Sequence, residues 1–165
     1  MGSGKTTVGQ MLARALKWQF IDLDQHIEKK HGQSIPHIFS TQGEAAFRQM
    51  ENEAINEMTQ LSNVIVSTGG GTPCFHGNMD LMNQSGLTIY LKLDAEVLKD
   101  RLMPAKKSRP LIANKSDSEL LDFIREKLRE REMYYMQSAV KADATAVGVA
   151  PYINIIEMYN QSNKG

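Results

Sequence analysis

The segment Gly2-Ser3-Gly4-Lys5-Thr6-Thr7 decides the fold of this chain. Glycines let backbone N–H groups curl around a phosphate, a lysine at this point reaches the β and γ phosphates, and the next hydroxyl can bind Mg²⁺. Apolar residues recur at helical spacing after it and predict an amphipathic helix from about Lys5 to Lys17. The stretch therefore predicts a phosphate-binding loop that opens a helix.

The beginning of this loop pattern is incomplete. Its first glycine would fall before Met1, and the strand that normally feeds such a loop is not in the printed sequence. In a parallel sheet that strand runs through the middle and is paired on both sides. We expect the first strand to be missing, and hypothesise that Met1 is an internal methionine of the loop, preceded naturally by roughly ten residues that include an apolar strand.

Length and composition predict one domain, spanning residues 1–165. A chain of 165 residues with 41% hydrophobic content can bury one core but is too short for two ordinary domains. Acidic and basic residues both number 19, so no global field attracts nucleic acid or an anionic membrane. A single cysteine, Cys74, and the lack of a long apolar run favour a soluble, cytoplasmic protein, which we expect to be a monomer.

The order of apolar patterns predicts an α/β fold. Strands are predicted at Phe20 to Asp22, Val64 to Ser67, Thr88 to Leu93 and Ala142 to Val147. Helices are predicted between and after them, at Asp24 to Lys30, Gly43 to Leu61, Met79 to Gln84, Ala95 to Met103, Asp117 to Ser138 and Pro151 to Asn160. Such alternation indicates a parallel sheet covered by helices on both faces, with ligands bound beyond the carboxyl ends of the strands.

Two carboxylates end the first predicted strand, in Asp22-Leu23-Asp24. We expect the two carboxylates on opposite faces, one serving Mg²⁺ and the other a substrate hydroxyl. The alternative is that Asp24 only caps the following helix.

Three glycines follow the second predicted strand, at Gly69-Gly70-Gly71. Glycines remove side chains where a backbone must approach a ligand closely, although a plain turn is the simpler alternative.

The basic segment 104–116, bracketed by prolines, fits either a surface connection or a lid over a nucleotide.

Two arginines stand out only in combination with these motifs. Arg48 has Glu44 and Glu51 at helical spacing, and Arg131 lies in a charge-rich helix, so solvated ion pairs are the default explanation for both.

Taken in order, these motifs resemble the shikimate kinase family nearly from end to end. The residues that carry the resemblance are the phosphate loop, Asp22-Leu23-Asp24, Phe47-Arg48, Gly69-Gly70-Gly71, Arg109-Pro110-Leu111 and Arg131. The resemblance implies a three-layer P-loop kinase fold, and transfer of the γ-phosphoryl of ATP to the 3-hydroxyl of shikimate in aromatic amino-acid biosynthesis. Its small-molecule partners would be shikimate and ATP, with Mg²⁺ as cofactor.

The resemblance also implies roles for individual residues on the acceptor side. Asp24 would hold the acceptor hydroxyl and take its proton, while Arg48 and Arg131 would clamp the carboxylate. Within the triplet Gly69-Gly70-Gly71, the N–H of Gly70 would bind the substrate.

On the nucleotide side, the implied ATP-binding residues are Gly2, Ser3, Gly4, Lys5, Thr6, Thr7, Arg101 and Arg109. Thr6 would bind Mg²⁺ directly and Asp22 through water, while Arg109 would fold over the phosphates with the lid. Lys5, Arg109 and Asp24 are the implied catalytic residues. No arginine occurs between Asp143 and Pro151, where some family members place one, so Arg101 and Pro151 are the candidates for contact with adenine.

Two alternatives stay open at this point. One is a similar kinase for another small acceptor, such as gluconate or a nucleoside monophosphate, against which the acidic pair and two arginines argue. The other is a nucleotide-binding protein without turnover, for which the incomplete loop is evidence.

Overall fold

The computed structural model describes residues 2–104, 112–145 and 148–162. These residues form four short strands, which are β1 (Gln19–Asp22), β2 (Val64–Ser67), β3 (Ile89–Lys92) and β4 (Val140–Asp143). Seven α-helices accompany them: α1 (Lys5–Leu16), α2 (Leu23–His31), α3 (Ile35–Met58), α4 (Asn78–Ser85), α5 (Ala95–Leu102), α6 (Asp117–Tyr135) and α7 (Ala150–Ser162). The predicted α/β class is confirmed.

The predicted elements are present, but the last strand and the third helix differ from the prediction. The last strand begins at Val140 and ends at Asp143, earlier than predicted, and residues 146 and 147 lie outside the described residues. The helix predicted from Gly43 is preceded by a helical segment that begins at Ile35, where Ser34 caps it through a bond from the N–H of His37 and a proline occupies its first turn. Gly43, with φ 82° and ψ 173°, is not helical and forms a kink between the two helical segments of α3.

The sheet consists of two parallel halves. β1 pairs with β2 in the register Asp22 to Ser67, and β3 pairs with β4 in the register Lys92 to Asp143. Within the described ranges, no strand joins β2 to β3. A cavity of about 880 Å³ lies between these two strands, and we call it the central slot. Its walls include Val66, Leu91, Leu12 of α1 and Ile156 of α7. The open middle of the sheet agrees with the expected lack of a central strand.

Helices cover both faces of each half, which gives three layers. On one face α1 and α7 form a core around Leu12 and Ile156, against Ile65 and Ile89. On the other face α2 and α3 bury a cluster that meets Val66. A third cluster packs α5 against α6. Among the described helices, none is both long enough and apolar enough to cross a membrane.

The same edge of the sheet carries the predicted site. β1 ends at Asp22 and β2 ends at Ser67, which are partners in register, so both strands reach this edge together. The phosphate loop and Gly69-Gly70-Gly71 lie here, as expected for ligand binding at the carboxyl ends of parallel strands.

Candidate active site

The phosphate loop has the backbone geometry that its sequence predicts. Gly2 and Gly4 have φ values of 71° and 85°, in the left-handed region that favours glycine, and α1 begins directly afterwards at Lys5. Gly4 has no side chain that could cap the helix, and an anion is a common ligand for the N-terminus of a helix that follows such a loop. A pocket of about 360 Å³ lies here, lined by Gly2, Gly4, Lys5, Thr6, Thr7, Asp22, Asp24, Ser67 and Thr68.

Asp22 connects the phosphate loop to α2. Its Oδ2 accepts a hydrogen bond of 3.1 Å from the Thr6 hydroxyl, and its Oδ1 caps α2 by accepting from the N–H of Gln25 at 3.3 Å. The capping role considered for Asp24 therefore belongs to Asp22. The expected separation of the two acids onto opposite strand faces was also wrong, because residues two apart in a strand share a face, and because the strand ends at Asp22 and Asp24 lies in the first turn of α2.

The side-chain oxygen atoms of Thr6 and Asp22 are suitable ligands for a magnesium ion. A hydroxyl oxygen and a carboxylate oxygen are hard ligands, and Mg²⁺ typically uses one or two protein groups together with phosphates and water. The described residues contain no cluster of three or more acidic, histidine or cysteine side chains that would hold a metal alone.

Asp24 is a half-buried carboxylate with one buried oxygen atom. Its Oδ1 is buried and accepts no hydrogen bond from the described part of the chain. Burial raises the pKa of Asp24, the negative charges of Asp22 and Glu51 raise it further, and Lys5 opposes them. An unpartnered buried oxygen of this kind is costly, so it indicates a missing hydrogen-bond donor.

Crowding explains two of the three glycines. A Cβ on Gly69 would lie 3.1 Å from side-chain oxygens of Asp24, Glu51 and Thr72. A Cβ on Gly71 would lie 2.6 Å from Nη1 of Arg48. These positions are therefore crowded by polar side chains, which a plain surface turn does not require.

Arg48 forms more than a solvated ion pair. Its Nη1 contacts Oε2 of Glu51 at 2.7 Å, and its Nη2 contacts Oε1 of Glu44 at 2.7 Å. Glu44 is 58% exposed, but Glu51 is only 1% exposed and also accepts from the Thr72 hydroxyl. The guanidinium carbon lies 4.2 Å from the ring centre of Phe75. The expectation of a solvated ion pair was therefore wrong for the contact with Glu51, because the buried carboxylate of Glu51 holds the guanidinium of Arg48 in place.

Arg131 reaches the same region from α6. It lines one cavity with Gly69 and Gly70. Burial raises the pKa of the Cys74 thiol, and the positive charges of Arg131 and Arg48 oppose this rise. Arg48 lies against Gly71, and Arg131 lines the same cavity as Gly69 and Gly70.

Tyr135 belongs to this site, although the sequence pattern did not single it out. Its hydroxyl donates a hydrogen bond of 2.5 Å to the carbonyl oxygen of Gly70. Its spacing four residues after Arg131 was the only available signal, because that spacing puts both side chains on one helical face.

Arg101 lies beside the phosphate loop, while Arg109 lies outside the described residues. Arg101 donates to the carbonyl oxygen of Ala144 at 2.9 Å and to that of Ser3 at 3.4 Å. These bonds hold its guanidinium between the phosphate loop and the end of β4. Of the expected lid, residues 105–111 are likewise outside the described ranges.

Comparison with known proteins agrees with this geometry. The shikimate kinase family model matches residues 1–152. Shikimate kinase of Bacteroides fragilis is 46% identical over 138 residues, which cover 84% of this chain and 77% of the relative. Shikimate kinase of Parabacteroides distasonis is 44% identical over 144 residues, covering 87% of this chain and 83% of the relative.

Solved structures show the same similarity. The crystal structure of shikimate kinase from Bacteroides thetaiotaomicron matches with a TM-score of 0.86 and 40% identity, covering 98% of this chain and 92% of that one. Shikimate kinase from Acinetobacter baumannii, solved in complex with shikimate, matches with a TM-score of 0.81 and 32% identity, covering 100% of this chain and 91% of that one. This chain is an enzyme that belongs to the shikimate kinase family.

Proposed function

We propose that this chain transfers the γ-phosphoryl group of ATP to the 3-hydroxyl of shikimate, giving shikimate 3-phosphate and ADP. The observation that carries the proposal is the buried Oδ1 of Asp24, which lacks a donor and shares a pocket with Lys5. A substrate hydroxyl placed between them would satisfy the carboxylate and face the phosphate loop. The shikimate complex of the Acinetobacter baumannii relative supports this choice of acceptor.

On the acceptor side, Asp24 accepts the proton of the hydroxyl that attacks phosphorus. Its raised pKa makes it a stronger base than an exposed aspartate, because burial and neighbouring acids disfavour its ionised form. Arg48 and Arg131 bind the carboxylate at the other end of the ring, since a guanidinium can bond both oxygens of a carboxylate. Gly70, between Gly69 and Gly71, presents its N–H to the substrate.

On the nucleotide side, Lys5 and the N–H groups of the loop from Gly2 to Thr7 hold the phosphates. The loose transition state of phosphoryl transfer is stabilised mainly by the positioning of the reactants and by positive charge around the phosphates. Thr6 and Asp22 would hold Mg²⁺, which neutralises developing charge on the phosphates when bound. Arg109 adds charge from the lid, and Arg101 borders the nucleotide.

The remaining expectations form part of this proposal. The chain acts as one domain with a lid near residues 104–116, as a monomer and in the cytoplasm. The balanced charge and single cysteine support this view and argue against nucleic acid or membrane as partners.

An ADP-release assay tests the proposal. With Mg-ATP, purified protein should release ADP when shikimate is added and should release little with gluconate or a nucleoside monophosphate. Asp24→Asn, which keeps the shape of the side chain, should bind ATP normally and turn over slowly. Equal turnover with gluconate would assign a different acceptor, and ATP binding without any acceptor-dependent release would show a nucleotide-binding protein without turnover.

A further inference from the structure

The glycine segment has its carbonyl groups occupied and its central N–H free. Thr72 N–H donates to the carbonyl of Gly69, and Cys74 N–H donates to that of Gly71, so both outer carbonyls are held within the local turn. Only the carbonyl of Gly70 is held from another element, by Tyr135 of α6. In the described residues the Gly70 N–H has no acceptor.

Glycine needs such support more than other residues do. Without a Cβ, Gly70 can rotate about both backbone bonds at little cost, and a segment of three glycines loses more entropy on ordering than any other sequence. The Gly70 N–H lies in the peptide plane of the Gly69 carbonyl, which the bond from Thr72 already orients. The bond from Tyr135 holds the next peptide plane, and so it fixes the distance of Gly70 from α6.

The position of Tyr135 gives this bond a second consequence. The residue lies one helical turn after Arg131, whose positive charge opposes the rise in pKa that burial causes at the Tyr135 hydroxyl. Its ring packs against Tyr90 of β3, with centres 5.0 Å apart. Burial raises the pKa of Tyr135, so the hydroxyl keeps the proton that it donates at neutral pH. One hydroxyl thus joins the helix of the clamp to the glycine segment.

We propose that Tyr135 is a positioning residue for the acceptor, whose hydroxyl fixes the separation between Arg131 and the N–H of Gly70. This inference rests on the proposed function, because both groups then bind one shikimate molecule. A rigid substrate with a carboxylate and several hydroxyls tolerates little error in that separation. The hydroxyl acts on substrate binding through its neighbours and does not touch the reacting atoms.

Tyr135→Phe removes the hydroxyl alone and tests the proposal. We expect the KM and the calorimetric Kd for shikimate to rise by about 3- to 10-fold, the range of one lost hydrogen bond. The KM for ATP should stay within error of the original protein, and the melting temperature should fall by no more than about 6 °C, the effect of one lost hydrogen bond. Tyr134→Phe is the matched control, since it makes the same change at the neighbouring position of α6.

A double variant separates positioning from structural support. In the Arg131→Ala background, Tyr135→Phe should raise the shikimate Kd by less than twofold, because the clamp that it positions is already gone. Equal effects in both backgrounds would overturn the proposal, as would a shikimate KM unchanged from that of Tyr134→Phe. A large fall in melting temperature together with weaker ATP binding would also overturn it, since the hydroxyl would then support the fold.

Measurements on the unsubstituted protein separate a failure of this inference from a failure of the proposed function. If it releases no ADP with shikimate and binds none by calorimetry, both ideas fail together. If it turns over shikimate and Tyr135→Phe leaves the shikimate constants unchanged, only the positioning role fails.

Discussion

Arg48→Ala should weaken both the fold and shikimate binding, for different reasons. The change leaves the carboxylate of Glu51, which is 1% exposed, with the Thr72 hydroxyl as its remaining donor. Removing one partner of a buried ion pair costs about 3 to 5 kcal/mol. Because Thr72 stays in place, we expect the lower end, about 3 kcal/mol. At roughly 2 to 4 °C per kcal/mol, the melting temperature should fall by about 6 to 12 °C.

The loss of shikimate affinity has a separate origin. If Arg48 binds the carboxylate, its removal should cost about 2 to 5 kcal/mol of binding, which is at least about 30-fold in Kd. Affinity for ATP should change little, because the contacts of Arg48 lie on the acceptor side.

Adding Glu51→Gln to Arg48→Ala separates the two effects. The glutamine removes the stranded charge and keeps an oxygen for Thr72, so about 1 to 2 kcal/mol of the free energy of unfolding should return. Shikimate binding should not return. Urea unfolding gives the first quantity and calorimetry gives the second, with Arg129→Ala, at an exposed position of α6, as the control.

Two results would refute this reasoning. If the double variant is as unstable as Arg48→Ala, the charge of Glu51 is not what destabilises the single variant. If Arg48→Ala binds shikimate as tightly as Arg129→Ala does, the arginine is a structural residue only.

The other predictions concern the nucleotide side, the base, the lid and the sheet. Lys5→Met should keep the melting temperature but lower turnover by orders of magnitude, and near-normal ADP release would contradict the phosphate-loop assignment. Because folding raises the pKa of Asp24, its ionisation costs stability as the pH rises through that pKa. Asp24→Asn should therefore raise the melting temperature at pH 7, with the gain vanishing near the ordinary pKa of 3.8, and a pH-independent difference would show that the charge is not the cause. Arg109→Ala should lower turnover more than shikimate affinity, and equal proteolysis of the segment at Lys106 and Lys107 with and without nucleotide would count against a closing lid. Joining about five apolar residues ahead of Gly2 should raise the melting temperature by pairing with β2 and β3, whereas a Gly/Ser extension of equal length should not.

The sequence predicted the elements because their local signals are strong. The glycines around Lys5 predicted both the loop and the start of α1, and β2 was predicted at its observed bounds. The helix from Ile35 to Gln42 was missed although Ser34 and the proline after Ile35 are ordinary signals of a helix start. Gly43, whose backbone angles are not helical, separates this segment from the helix that was predicted to begin there.

The site was predicted only in part because burial cannot be read from spacing. Glu51 follows Arg48 by three residues, which fits a surface pair as well as a buried one, and only the packing around Thr72 decides between them. Tyr135 is 65 residues from Gly70, so no local pattern could link them. Asp22 and Asp24 were named, but which of them caps α2 depends on where β1 ends.

The crowding between Gly71 and Arg48 restricts the order in which substitutions at these two positions can be accepted during evolution. A Cβ at residue 71 would overlap the guanidinium, so a side chain can arise there only after residue 48 has become smaller. Losing Arg48 first strands the charge of Glu51 and destabilises the protein. Both single steps are therefore harmful, and the glycine and the arginine should be lost together or not at all, even in a lineage that no longer needs this acceptor.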